Sequence, residues 1–219
     1  MMRSQIKWLI QIALSFVACG GNLQSAAANT VFPFDAVYDT EVTLTPIPNS
    51  DVSETSITAT SSNAPYGLTN VVGKNYSRLD MNGVGTFSAN PEDLNLDPTV
   101  FPFLSEEFFG TDSDKLFGFS TIEALFDFEN LTLSGEGTIN ITGGAGRFTG
   151  ATGKFDVKQD SKLNPDPSAP IVVKTFLNGS FQVPHKIPEP SDTVGLVVGS
   201  LATSLFLSRR KSKPSSDNC

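Results

Sequence analysis

Between Asn29 and Ile187 the chain is written in period two, and that pattern restricts its folding more than any other feature. Apolar and polar residues alternate near Phe34–Leu44, Ser53–Thr60, Tyr76–Ala89, Leu116–Asn130, Leu131–Thr142, Lys154–Gln159 and Pro170–Val183, with Gly, Pro and Asn between the runs. Successive side chains of an extended strand point to opposite faces, so each run predicts a strand with one buried face. Little of the segment carries helical spacing. Fifteen of the seventeen phenylalanines fall within it, which predicts a Phe-packed β interior.

One run repeats. Leu79-Asp80-Met81-Asn82-Gly83-Val84-Gly85-Thr86-Phe87 is echoed by Leu131-Thr132-Leu133-Ser134-Gly135-Glu136-Gly137-Thr138-Ile139. In both copies most apolar residues and both glycines share odd parity, with Val84 the exception. Odd positions are therefore expected to face inward. Two glycines on a buried face permit strong coiling of a strand or close approach by a neighbour. The parity carried through the glycines favours one long bent strand in each copy over a hairpin at Gly-x-Gly.

Several chemistries are excluded by residue usage. Residues 29–187 hold 9 Lys/Arg against 20 Asp/Glu, a balance near −11, which argues against a phosphate-binding surface and against nucleic acid. The two cysteines are Cys19 and Cys219, outside this segment, so it has no disulfide, thiol nucleophile or thiolate metal site. The one histidine, His185, lies beside Pro184, where a Ser–His–Asp triad or a His-based metal site would need it to fold back. What remains is carboxylate chemistry. Residues 92–129 carry ten acidic side chains and one lysine, including Glu106-Glu107 and Asp112-Ser113-Asp114. Calcium would need a closing Glu after a D-x-D-x-D-G loop, and glycoside hydrolysis two carboxylates across a cleft. Solvated acidic loops are the simpler account, and neither a metal nor a cofactor is expected.

The two ends read as addresses. Arg3 and Lys7 precede an apolar run from Trp8 to Cys19, about twelve residues and too short for a spanning helix. Ala26-Ala27-Ala28 supplies the small residues a signal peptidase requires, with Ala26 and Ala28 flanking the cut and Asn29 first in the mature chain. Phe16-Val17-Ala18-Cys19 is a loose lipobox, so a lipid on Cys19 is the rival within export. At the other end Pro188-Glu189-Pro190 precedes an apolar run from Thr193 to Leu207, followed by Arg209-Arg210-Lys211. The prolines impose an extended stretch that a protease can grip. A basic cluster after an apolar run sets orientation with the positive charge inside.

This three-part layout over residues 187–211 resembles the PEP-CTERM sorting domain of exopolysaccharide-producing Gram-negative bacteria. The resemblance implies that an exosortase-type membrane protease reads Pro188, Glu189 and Pro190, while Arg209, Arg210 and Lys211 stay cytoplasmic. The apolar run is about fifteen residues long and bears Gly195, Gly199, Ser200, Thr203 and Ser204, which suits a segment read and removed better than a permanent span.

Gly143-Gly144-Ala145-Gly146-Arg147-Phe148-Thr149-Gly150-Ala151-Thr152-Gly153-Lys154-Phe155 has the look of a phosphate loop. The dinucleotide spacing fails at Thr149, and the P-loop fails at Phe148 and Phe155. The residues predict a tight glycine turn in which Arg147 caps or pairs, Phe148 plugs one end of the core and a strand resumes at Lys154. The segment is similar to the G-G-x-G-[RK]-F-x-G-A-x-G turn of allene-oxide-cyclase-like and dirigent-like β-barrels, matching at Gly143, Gly144, Gly146, Arg147, Phe148, Gly150, Ala151 and Gly153. That resemblance implies an antiparallel barrel, oligomeric in many plant members, and hence a homo-oligomer here. The cyclase activity does not carry over, because no catalytic positions match.

The expected fold is all-β: a single antiparallel β-barrel of about eight strands, flanked by an N-terminal signal helix and a C-terminal short hydrophobic helix. Residues 1–28 form the signal peptide, 29–183 the barrel, 184–192 the stalk with its Pro-Glu-Pro motif, 193–208 the anchor helix and 209–219 the basic cytoplasmic tail. The expected function is that of an exported, exosortase-sorted surface protein, a non-catalytic component of the extracellular polysaccharide matrix. The competing reading is a barrel that binds a small apolar ligand, with isomerase-like activity.

Overall fold

The structure, a computed structural model, describes residues 29–166 and 169–185. They form nine strands: β1 (Asn29–Pro46), β2 (Val52–Thr60), β3 (Asn70–Leu79), β4 (Val84–Ser88), β5 (Glu106–Phe109), β6 (Lys115–Asp127), β7 (Thr132–Ala145), β8 (Thr152–Lys162) and β9 (Ile171–Pro184). Three short 3-10 turns are the only helical residues described, at Pro65–Gly67, Pro91–Leu94 and Gly146–Phe148. The described chain is all-β.

Every pairing is antiparallel. The order β2-β1-β9-β8-β7-β6-β4-β3 closes on itself because β3 also pairs β2, which makes a ring of eight strands. β5 is the ninth and shares a place in that ring with β4. The first half of β3 pairs β5 through Asn70↔Phe109 to Gly73↔Glu106, and its second half pairs β4 through Tyr76↔Ser88 to Leu79↔Gly85. On the other side β6 pairs β5 over 115–118 and β4 over 121–125. The wall between β3 and β6 is therefore one strand broken in the middle.

Alternation decides which residues point inward. In β6 the buried set is Leu116, Gly118, Ser120, Ile122, Ala124 and Phe126, every second residue. Phe34, Phe108, Phe148, Phe155 and Phe181 are fully buried around the end of the ring that carries the β7–β8 turn. Their rings meet at centroid distances such as 4.5 Å for stacked Phe34–Phe155 and 5.0 Å for edge-on Phe148–Phe181. Aromatic pairs favour these offset and edge-to-face arrangements. Toward the opposite end Ala124, Phe126, Leu133 and Val173 pack together with half-buried Phe87 and Ile171. A third cluster lies outside the ring, where the chain between β4 and β5 folds Leu94, Leu96, Phe101 and Leu104 over Tyr76 and Val52.

The two copies of the echoed run part company. The second forms the continuous β7, with Leu133, Gly135 and Ile139 buried at odd positions. The first is not a long bent strand, and Leu79 and Met81 are exposed. It breaks at Asp80-Met81-Asn82-Gly83, where Asp80 Oδ1 accepts from the amides of Asn82 and Val84, both at 2.8 Å. Gly83 sits at φ +80°. An Asp that can bond the amides two and four residues on, ahead of a glycine free to take positive φ, outweighs the parity of the apolar residues. The predicted Tyr76–Ala89 strand is accordingly the end of β3, a turn and β4.

The glycine turn is narrower than its sequence. Gly143 and Gly144 still belong to β7, opposite Phe117 and Leu116, and Gly153 already belongs to β8, opposite Phe181. The turn itself runs from Gly146 to Ala151, with Gly146 at φ +64° and Gly150 at φ +78°, and the strand resumes at Thr152 rather than Lys154. Arg147 Nε lies 2.7 Å from Asp114 Oδ2, and its guanidinium donates to Tyr66 O at 2.9 Å while lying 4.8 Å from the Phe148 ring centre. Asp114 also accepts from the Arg147 amide at 2.8 Å. Phe148, beneath, is completely buried.

Candidate functional site

The broken wall brings three polar side chains together inside the ring. Where β5 stops and β4 has not begun, Asn75 of β3 and Ser120 of β6 face each other across the gap, and Glu106 at the start of β5 turns its carboxyl between them. Ser120 Oγ donates to Glu106 Oε1 in a short hydrogen bond, and Asn75 Nδ2 donates to Ser120 Oγ at 3.4 Å. The loop ends stitch the gap from outside, with Lys74 N donating to Ser105 O at 3.1 Å and Ala89 N to Ser120 O at 3.3 Å. Room for the carboxyl comes from Gly73, its partner on β3. A Cβ at Gly73 would stand 2.5 Å from Glu106 Cγ and 3.0 Å from its Cα.

Glu106 is 5% exposed and Asn75 1%. Burial pushes the Glu106 carboxyl up from 4.5 to about 7, opposed by the bond from Ser120. Removing a carboxylate from water penalises its charged form, and a single hydroxyl donor restores only part of the lost solvation. The group therefore exchanges its proton near neutrality. Asn75 Oδ1 is buried without a hydrogen bond, and turning the amide over would only exchange which of its atoms is left free.

These groups border a cavity of about 60 Å³ within the ring. Its remaining lining is largely apolar, from Val71, Phe108 and Ile122 on one side to Val157 and Leu177 on the other. A second polar set stands on β1, β9 and β8, with Thr40 Oγ1 donating to Thr175 Oγ1 at 2.9 Å and Gln159 Nε2 to the same oxygen at 3.2 Å. β9 lies four places around the ring from the β4/β5 position, so the two polar sets come from opposite walls. Tyr38, the only other titratable residue in the lining, donates its hydroxyl to Leu68 O, and burial pushes its phenol well above the usual range.

A wider cleft of about 390 Å³ lies at the end of the ring away from Phe148, between Leu79, Phe128, Leu131 and the 162–166 and 169–172 segments. It shares Phe87, Phe126 and Ile171 with the inner cavity, so these side chains form the partition between the two. Arg78 stands in its wall, with Nε 2.9 Å from Asp51 Oδ2 but not aligned for a hydrogen bond, and with Nη2 donating to Leu94 O at 2.5 Å.

Compared with family models, curated proteins and solved structures, the chain matches none. The site must be judged on its own geometry.

Of the residues singled out from sequence, Asn29 opens β1 opposite Pro184 and donates through its side chain to Gln182 Oε1 at 3.2 Å. His185 is exposed just beyond β9. Ala26, Ala28, Pro188, Glu189, Pro190, Arg209, Arg210 and Lys211 lie outside the described residues, as do both predicted helices. Among the described residues no three His, Cys, Asp or Glu side chains converge as metal ligands. The acidic stretch divides: Glu107 pairs with Lys115 at 2.6 Å on the outer face, and Asp114 holds Arg147. Glu106 alone turns inside. Sequence reasoning missed Asn75, which precedes the predicted start of its strand, and Ser120. The signal for Ser120 was present, because a serine sits on the inward parity of an otherwise apolar face.

Proposed function

We propose that this chain is an exported, exosortase-sorted cell-surface protein. Its eight-strand ring is a β-barrel serving as a non-catalytic structural or adhesive component of the extracellular polysaccharide matrix. The observation that carries the sorting reading is the ordered series Pro188-Glu189-Pro190, apolar run and Arg209-Arg210-Lys211, with a signal-type segment at the other end. The paired sheet begins at Asn29 and ends at Pro184, which agrees with processing at both flanks. Signal peptidase would release residues 1–28 and the sorting protease would act at the Pro-Glu-Pro stalk. The structural role is supported by the interior. Aromatic side chains fill most of it, leaving about 60 Å³ where small-molecule sites enclose roughly 300–1,000 Å³.

Intact-mass measurement of the mature protein, from cells with and without the cognate sorting protease, tests the sorting. The expected result is loss of residues 1–28 in both strains and loss of the C-terminal segment only where the protease is present. A mature C-terminus at Cys219 in both strains would overturn the assignment. Sedimentation of the mature domain with the strain's own extracellular polysaccharide tests the matrix role, which fails if no protein co-sediments.

A further inference from the structure

We propose that the cavity inside the ring is a binding site for a small uncharged molecule bearing a primary amide, with Glu106 and Asn75 as its polar partners and the cleft beside Leu131 as its entrance.

The broken wall creates the unmet hydrogen-bonding capacity. An unbroken strand between β3 and β6 would bury only side chains of its own parity there, whereas the break leaves Asn75 and Ser120 beside the Glu106 carboxyl. Ser120 satisfies Glu106 Oε1, and Oε2 makes no hydrogen bond within the described residues. Asn75 Oδ1 is likewise buried and unbonded. Leaving such groups unpaired is costly, so the site calls for a guest or ordered water that completes them. Glu106 takes up a proton near neutrality, and in that form the open positions are one O–H donor, on Oε2, and two acceptors. A primary amide is the complement. Its carbonyl accepts from Glu106 Oε2–H, one N–H returns to the carboxyl, and the other reaches Asn75 Oδ1.

The same inventory rejects charged guests. A carboxylate would meet Asn75 Oδ1 and the second carboxyl oxygen, both acceptors. A cation would demand an ionised pair in apolar surroundings, where desolvation opposes it. No other charged side chain lines the cavity: Tyr38 is neutral and hydrogen-bonded, and the remaining lining is apolar, hydroxyl or amide. Lys74, next to Asn75, instead pairs outward with Glu54 at 2.6 Å.

Size narrows the guest further. At roughly 15 Å³ of this kind of volume per water, 60 Å³ holds about four waters. A short aliphatic amide fits, its tail against Ile122, Val157 and Leu177. Passage requires only that Phe87, Phe126 and Ile171 turn aside, since they alone are common to the cavity and the cleft.

The test is a titration of the full-length chain, methyl-labelled at isoleucine, with propanamide, followed by NMR at pH 6 and pH 8. Ile57, Ile122 and Ile139 line the cavity and report occupancy. Saturable shifts confined to cavity-lining methyls are expected, with an apparent Kd of about 1 mM at pH 6. With a carboxyl that titrates at about 7, roughly a tenth is protonated at pH 8, so binding should weaken about tenfold. E106Q offers a permanent N–H donor in place of Oε2–H, so it should bind equally at both pH values. Propanoate should not bind. N75L removes the free acceptor and occupies the guest's place, and should abolish the shifts while its methyl spectrum still shows a folded ring. The proposal is overturned if propanamide produces no saturable cavity shifts, the outcome of a cavity that holds water alone. Propanoate binding as tightly, or E106Q keeping the tenfold pH dependence, would also overturn it.

Discussion

Replacing Glu106 by glutamine should convert a pH-dependent stability into a flat one, and the size of the change follows from where the carboxyl sits. Its proton is held at about 7 in the folded chain against 4.5 ordinarily, with burial as the larger cause and the Ser120 bond opposing it. An acid whose pKa rises on folding binds its proton more tightly when folded. Its contribution is fully present below 4.5, declines as pH climbs and is gone above about 7. At about 1.4 kcal/mol per pH unit the window corresponds to ~3 kcal/mol. For a chain of this size that is a melting-temperature change of roughly 6–12 °C. The assay is urea unfolding of wild type and E106Q at steps between pH 4 and pH 8. The wild-type value minus the E106Q value should fall by ~3 kcal/mol across that range, with nearly all the loss between pH 4.5 and 7. Asp80, Asp97 and Asp127 titrate below their ordinary value, because each accepts local hydrogen bonds, so they act on the acid side of this window and equally in both proteins. A constant difference from pH 4 to pH 8 would refute the argument, since it would mean the carboxyl is ionised and solvated in the folded state.

Three further perturbations probe the surroundings. Gly73→Ala places a Cβ against the Glu106 side chain and its backbone, so it should cost about 1–3 kcal/mol in urea unfolding and shrink the pH window just described. Phe148→Ala empties the plug beneath Arg147 and should cost about 3–5 kcal/mol, whereas Arg147→Ala, on the exposed side of the same turn, should cost clearly less in the same measurement. Asp80→Ala removes the acceptor of the Asn82 and Val84 amides, so both should exchange with solvent faster. Because hydrogen bonding to Val84 holds the Asp80 carboxyl below its ordinary 3.8, the stability it confers is present above that pH and lost in stronger acid. The two proteins should therefore converge there.

Much of the fold was legible because burial writes itself into alternation. Strands such as β6 and β9 lie between solvent and one interior, so their inward residues are apolar at every second position and their limits could be read within a few residues. The polar site was legible only in fragments. Glu106 stands in a run that reads as a solvated acidic loop, and its inward direction depends on a four-residue strand whose only local hint is the shared parity of Glu106 and Phe108. Asn75 carries no signal of its own, for asparagine in a chain of this composition reads as a turn residue. The first copy of the echoed run misled for a comparable reason. Parity is preserved through a four-residue turn as well as along a strand, so alternation could not distinguish them, and the bonds to the Asp80 carboxylate did.

By itself the sequence determined the class of the fold, the aromatic interior, the acidic and cysteine-free character of the middle segment and the expectation of two processed ends. These follow from composition and near-neighbour spacing, which hold wherever the chain goes in space. Only the tertiary structure decided that the strands close into a ring, that β4 and β5 share one place in it, and that the gap between them gathers Asn75, Glu106 and Ser120 from positions far apart in sequence. Closure and convergence depend on register between strands distant along the chain. A register is set by the sum of many pairings and leaves no mark on any single residue.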